Sequence, residues 1–260
     1  MKMTFHHTIL ALIGIGSLAL APALSAAVIY SDDFSGGAAA PLNGTTPDTT
    51  SGSFGGTSGA TWSADGFYRA DGSVLAINGG SGSHFSGWLP FTPQAGNIYT
   101  ISADVNTTGG SADWIGFGFA QNNNTAEGLH TLDNGFDWAL LRNTRGVNQG
   151  SDFYGPATSN TAGNYNSPTG VVALSQVLDT TGALWTETFL VNGTVVNGPG
   201  NSGTNPTIHY VGFSHINTAS GTIDNFSLTA GPVPEPGTAS LLGVALVGIA
   251  AVRRRRATAV

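Results

Sequence analysis

Tyr99, Ile101, Ala103 and Val105 are apolar, and Thr100, Ser102, Asp104 and Asn106 alternate with them. A period of two is the pattern of a strand with one buried face, and a helix cannot use it. Ile115, Phe117 and Phe119 alternate with Gly116, Gly118 and Ala120. That second strand is aromatic on one face and nearly bare on the other, which invites a close-packed neighbour. Trp185 to Val191, the pair Asn192-Gly193, and Thr194 to Val196 predict a hairpin, because Asn-Gly suits a type I′ turn. Ile208 to Ser214 and Thr222 to Thr229 predict two further strands, joined through Asn217 to Gly221. No stretch of the body carries a sustained 3.6-residue stripe. The 38 glycines, with abundant Ser, Thr and Asn, weaken the helical alternative further. Many short strands with frequent turns predict an all-β sandwich or barrel. Gly36 to Gly59 reads as a long loop after the first strand, and Pro232 to Pro236 as a linker.

The two ends differ from this body. Lys2, an apolar run from Ile9 to Leu20, Pro22 and the small residues Ser25, Ala26 and Ala27 have the layout of a secretion signal over residues 1–27. Cleavage is expected after Ala26 or Ala27, leaving a β domain over residues 28–231. The other reading of the start is a buried N-terminal helix. Residues 232–260 open with Val233, Pro234, Glu235 and Pro236. An apolar run over 237–252 follows, and then Arg253, Arg254, Arg255 and Arg256. The run predicts a single transmembrane helix, short against the usual ~20 residues. The arginines would hold its far end in the cytoplasm and keep the body outside.

This tail resembles the PEP-CTERM sorting signal: a Val-Pro-Glu-Pro motif, a short hydrophobic helix and a terminal arginine cluster. The resemblance implies an exported protein, briefly anchored in the inner membrane. It also implies recognition of Pro234, Glu235 and Pro236 by an exosortase-type protease, and delivery to the cell surface or extracellular matrix. An ordinary anchor that is never cut is the alternative.

The body opens with Tyr30-Ser31-Asp32-Asp33-Phe34 and closes with Ile223-Asp224-Asn225-Phe226-Ser227. Together with the Asn192-Gly193 hairpin, this looks like a concanavalin A-like, or LamG-like, jelly roll. The resemblance implies that the first and last strands pair.

Charge narrows the partners. Between Val28 and Pro232 there are three arginines (Arg69, Arg142 and Arg145), no lysine and fourteen acids, a net charge of −11. Such a field repels phosphate backbones, so nucleic acid is excluded as a partner. It admits cations and neutral sugars. With no cysteine, thiol catalysis and Cys-ligated zinc are excluded.

Glycoside hydrolysis needs two carboxylates at a set separation. The only body glutamates, Glu127 and Glu187, have no acid two residues away, and Asp133 and Asp137 are four apart around Gly135. The expectation is a non-catalytic protein, with a polysaccharide hydrolase on the same fold as the rival. A purely structural or adhesive matrix subunit is a third reading. His84, His130, His209 and His215 are scattered and read as structural residues.

Two places are candidates for binding. If the end strands pair, Asp32, Asp33 and Asp224 converge and suit calcium, a hard cation that takes oxygen ligands; the other reading puts Asp32 and Asp33 in an exposed turn. Arg142, Arg145 and Tyr154, around a polar loop that includes Asn148 and Asp152, gather cations, amides and an aromatic ring that could contact exopolysaccharide. Trp62, Tyr68, Trp88, Trp114 and Trp138 serve either the core or a sugar platform.

Overall fold

The alternating segments form strands in the computed structural model, which describes residues 25–36, 40–77, 84–108, 113–129, 135–142, 151–155, 158–162, 170–203, 207–216 and 221–232. The chain's compact body unit spans Ser25–Pro234; the other unit, Met1–Leu24 with Glu235–Val260, falls outside the described residues. So do the expected signal helix, the transmembrane run, Val233 to Pro236, Arg253 to Arg256 and Arg145.

In chain order the strands begin with β1 (Ala27–Asp32), β2 (Ala40–Pro41), β3 (Thr49–Thr50), β4 (Ser63–Ala64), β5 (Tyr68–Ala70) and β6 (Leu75–Ile77). β7 (His84–Pro90), β8 (Asn97–Thr107), β9 (Trp114–Ala120), β10 (Gly135–Arg142), β11 (Ser151–Gly155) and β12 (Thr158–Ala162) follow. The last are β13 (Val172–Asp179), β14 (Trp185–Val191), β15 (Thr194–Gly203), β16 (Tyr210–Ile216) and β17 (Gly221–Pro232). Every strand pairing among them is antiparallel.

Two sheets result. A ten-stranded sheet runs β15-β14-β13-β8-β17-β6-β5-β2, with β1 pairing both β17 and β3. A seven-stranded sheet runs β12-β11-β10-β9-β16-β7-β4. The fold is an all-β jelly-roll sandwich. Its first and last strands pair, with Ala27 opposite Ala230 and Asp32 opposite Phe226. β17 shares one edge between β1, along residues 226–230, and β6, along residues 221–223.

Inner faces supply the core. β8 contributes Tyr99, Ile101, Ala103 and Val105; β9 contributes Ile115, Phe117 and Phe119; β16 contributes Val211 and Phe213. Trp62 fills the centre, 4.9 Å from Phe213 and 5.1 Å from Phe226 between ring centroids. The expected hairpin turn is present, with Asn192 at φ 49° and Gly193 at φ 75°.

Three expectations change. The stretch from Gly36 to Gly59 contains β2 and β3, because Thr49 and Thr50 pair onto Ser31 and Tyr30. Pro232 belongs to β17, opposite Asn97, so the expected linker is shorter at its start. Asp152 and Tyr154 lie in β11 and not in a loop, since β11 pairs residue for residue with β10.

Candidate functional site

Asp32 ends β1 and is buried. Its Oδ2 accepts the Trp62 indole N–H at 2.7 Å and its Oδ1 accepts the Phe34 amide at 2.9 Å. Burial pushes the Asp32 carboxyl above the usual carboxylate range; the Trp62 and Phe34 bonds pull the other way, and the nearby Asp48 and Asp33 add to the rise. Asp33 is exposed, and hydrogen bonding from the Ser35 side chain, with a further contribution from the Ser35 amide at 2.9 Å from Oδ1, lowers its carboxyl. The third member is Asp48, whose Oδ2 accepts the Asp33 amide at 2.9 Å. One carboxylate oxygen from each of the three lies within 4.8 Å of the others.

The structure thus brings Asp32 and Asp33 together with Asp48. Asp224 stands on β17 opposite Asp104 of β8, and Asn225 donates to Asp104 Oδ2 at 2.9 Å. A register shift between Asp224 and Ser227 puts Asn225 at φ 51°. No sequence signal pointed to Asp48, fifteen residues from Asp33 in the stretch expected to be loop.

The second region is the outer face of the seven-stranded sheet. Strand alternation sends Trp88, Trp114, Ala120, Trp138 and Leu140 to the side away from the main core, where they form a separate apolar cluster with Leu129. The register explains how bulky rings fit there. Trp88 lies opposite Gly212, Gly212 opposite Gly118, Gly118 opposite Trp138, and Trp138 opposite Tyr154. Two glycines in the middle of this row leave room for indoles on either side. A Cβ at Gly212 would sit 1.9 Å from the Gly87 carbonyl oxygen and 3.0 Å from Trp88 Cε3. Trp114 and Trp138 pack at 5.9 Å, and His84 stacks on Trp114 at 6.0 Å.

Residues 121–129 are strapped across this face. The Thr125 carbonyl accepts the Ser86 amide at 2.9 Å, and the Glu127 carbonyl accepts the Ser86 hydroxyl. The Asn124 carbonyl accepts the Trp88 indole N–H at 3.4 Å, and the Leu129 amide donates to Ser214 Oγ at 3.1 Å. Trp88 is 0%, Trp114 2% and Trp138 5% exposed. Arg142, half-buried at the end of β10, stands opposite Trp114 on the same face, and Tyr154 holds a register position beside Trp138. Arg142 and Tyr154 therefore belong to one sheet face. Trp62 and Tyr68 belong to the core between the sheets.

The remaining candidates separate. Glu187 is buried on β14 in the alternation that also buries Trp185 and Phe189, whereas Glu127 sits in the strap. Asp133 lies outside the described residues, and Asp137 is opposite Phe119 on β10. His209 is exposed just before β16. Among the described residues His215 is the buried histidine: its Nδ1 is 2.9 Å from the Tyr68 hydroxyl, which itself donates to the Phe85 carbonyl at 2.9 Å. Burial, with a smaller contribution from His84, pushes the His215 pKa down to about 4.

Residues 232–256 match the PEP-CTERM protein-sorting motif. This is an exported protein. Its sorting signal begins at the residue where β17 ends. No curated protein matches the chain in sequence. Among solved structures, an endo-1,3-beta-glucanase from Streptomyces sioyaensis is similar at 15% identity and TM-score 0.48, over 82% of this chain and 99% of that one. The carbohydrate recognition domain of Emp46p is similar at 14% identity and TM-score 0.46, over 64% and 87%. Lectin UEA-II, complexed with galactose, is similar at 9% identity and TM-score 0.43, over 66% and 92%. At these scores the likenesses carry no inference, and the fold of the exported body rests on its own strand pairing.

Proposed function

We propose that the exported protein is a non-catalytic component of the cell surface or extracellular matrix that contacts glycan through the outer face of its seven-stranded sheet. The observation that carries this reading is Arg142, half-buried at the end of β10 on the same sheet face as the buried cluster of Trp88, Trp114 and Trp138. A tyrosine ring stacks on the apolar face of a pyranose, and a guanidinium beside it donates to sugar hydroxyls. The strap covers the cluster's centre, so contact is assigned to its β10–β11 border, at Arg142 and Tyr154, and Arg145, the third expected contact, lies outside the described residues. The separation of Glu127 from Glu187 supports a binding role over hydrolysis, which needs two carboxylates flanking one bond.

Calcium is the cofactor this reading proposes. Asp32, Asp33 and Asp48 offer three carboxylates at the spacing one oxygen-ligated cation takes. Asp224, opposite Asp104, stands on the outer face of the other sheet as a second, weaker candidate. The tail's partners are the inner membrane and an exosortase-type protease, with Val233, Pro234, Glu235 and Pro236 as its recognition motif and Arg253 to Arg256 setting topology.

The test is titration of the purified protein with polysaccharide from its own matrix, followed by calorimetry. Saturable binding that weakens at least tenfold in Arg142→Ala and Tyr154→Ala is expected. Saturable binding untouched by both substitutions would move the site elsewhere, and no binding would leave a structural matrix subunit. Calcium is expected to raise the melting temperature of the wild type, and Asp48→Asn is expected to remove that rise. A rise retained in Asp48→Asn would sink the assignment of that cluster.

A further inference from the structure

We infer that the outer face of the ten-stranded sheet binds a single extended chain of neutral polysaccharide along a ladder of hydroxyl side chains. The inference goes beyond the contact proposed at Arg142 and Tyr154: it uses neither residue and lies on the other sheet.

The ladder comes from register. Thr49 of β3 stands opposite Ser31 of β1, Ser31 opposite Ser227 of β17, Ser227 opposite Ser102 of β8, and Ser102 opposite Ser175 of β13. Residues opposite each other share a sheet face. Five strands therefore set five hydroxyls in one row, although the residues are scattered along the chain. Neighbouring strands are about 4.8 Å apart, so the row is about 19 Å long. It continues through Leu190 of β14 to Val195 of β15, which is 56% exposed. A second row runs beside it through Thr229, Thr100, Val177 and Thr188. The alternate residues of these strands, among them Ile101, Leu174 and Leu228, fill the core, so both rows are turned outward. Among the described residues only one hydroxyl of the two rows is hydrogen-bonded, Thr229 Oγ1 to the Thr100 carbonyl at 3.5 Å. Each of the others keeps its donor and its acceptor sites for a partner.

Three properties select the occupant. A second copy stacked on this face would leave rows of hydroxyls dry and unpaired, which is costly. Neither row holds a charged residue, in a body of net charge −11, and the acids Asp104 and Asp224 beside them repel a uronate chain. Strands turn by roughly 20–25° from one to the next, so a flat crystalline surface cannot follow the row and a single chain can. A neutral polysaccharide has hydroxyls along its length to pair with the serines. Its C–H faces can lie on Val177, Leu190 and Val195.

The test titrates the purified full chain, by calorimetry, with hydroxyethylcellulose, laminarin and galactomannan as neutral polymers and alginate as a uronate. Saturable binding to at least one neutral polymer, and none to alginate, is expected. All variants are made in an Arg142→Ala background, so that the border on the other sheet does not contribute. Replacing Ser31, Ser102, Ser175 and Ser227 together by alanine is expected to weaken binding at least tenfold with little change in melting temperature. Thr100→Val with Thr188→Val, which keeps side-chain shape, is expected to weaken it as a second, independent variant. Binding that Arg142→Ala alone abolishes overturns this inference and leaves the border reading standing. Binding that survives Arg142→Ala and both sets of hydroxyl removals overturns both readings, as does no binding by the wild type. Alginate bound as tightly as the neutral polymers overturns the ligand class. A dimer in sedimentation that the four serine substitutions dissolve gives the face to a second copy and overturns the inference.

Discussion

Asp32 holds two parts of the chain together through one carboxylate. Trp62 needs an acceptor because its indole N–H is buried, and Asp32 Oδ2 at 2.7 Å provides it. Asp32→Ala strands that donor in the core. The expected loss is about 1.5–3 kcal/mol, the range for a bond to a charged group. Urea denaturation checks it, with Asp32→Asn, which keeps an acceptor, closer to wild type. His215 makes a pH prediction. Its ordinary pKa is about 6.5 and the folded value about 4. Between those values the unfolded chain takes up a proton that the folded chain refuses. Stability is therefore lost as pH falls through this window, by roughly 3 kcal/mol, and the loss from this group stops below about pH 4. Asp32, whose carboxyl is raised, acts in the opposite sense across the carboxylate range. His215→Phe is expected to flatten the slope between pH 6.5 and 4; an unchanged slope would contradict the assignment.

Among the elements, the outer face of the seven-stranded sheet shows how one residue choice sets a layer. β9 was legible as aromatic on one side and bare on the other, and a close-packed neighbour was expected on the bare side. The neighbour is the set of indoles from β7, β10 and β9 itself, together with the strap. Gly212→Ala is expected to destabilise by at least the roughly 1–3 kcal/mol of an overpacked core, since the new methyl would meet backbone and not a yielding side chain. Thermal melting measures it. Ser214→Ala removes the acceptor for the Leu129 amide. The expected signature is local: faster amide exchange at Leu129, with a global loss of about 1 kcal/mol. Exchange at Leu129 that matches wild type would mean the strap is held by its other bonds alone.

At the scale of the whole molecule, charge acts on every element at once. A body at −11 repels itself, so added sodium chloride is expected to raise the melting temperature by screening. A melting temperature that falls with salt would show that the few arginine contacts outweigh the excess of acids. What the sequence determined by itself was local and periodic. Alternation in residues 99–106 and 115–120, the Asn192-Gly193 turn and the tail from Val233 to Arg256 each carry their meaning within a few residues. The tertiary structure decided what depends on register between distant strands. It put Asp48 and not Asp224 beside Asp32, because β1 meets β17 at Phe226 while Asp224 lies past a register shift, opposite Asp104. It placed Trp62 inside and Trp88, Trp114 and Trp138 outside, a distinction that composition cannot make because an indole suits either side. The physical reason is the same in both cases: a strand's own pattern says which residues share a face, but only its pairing says what that face meets.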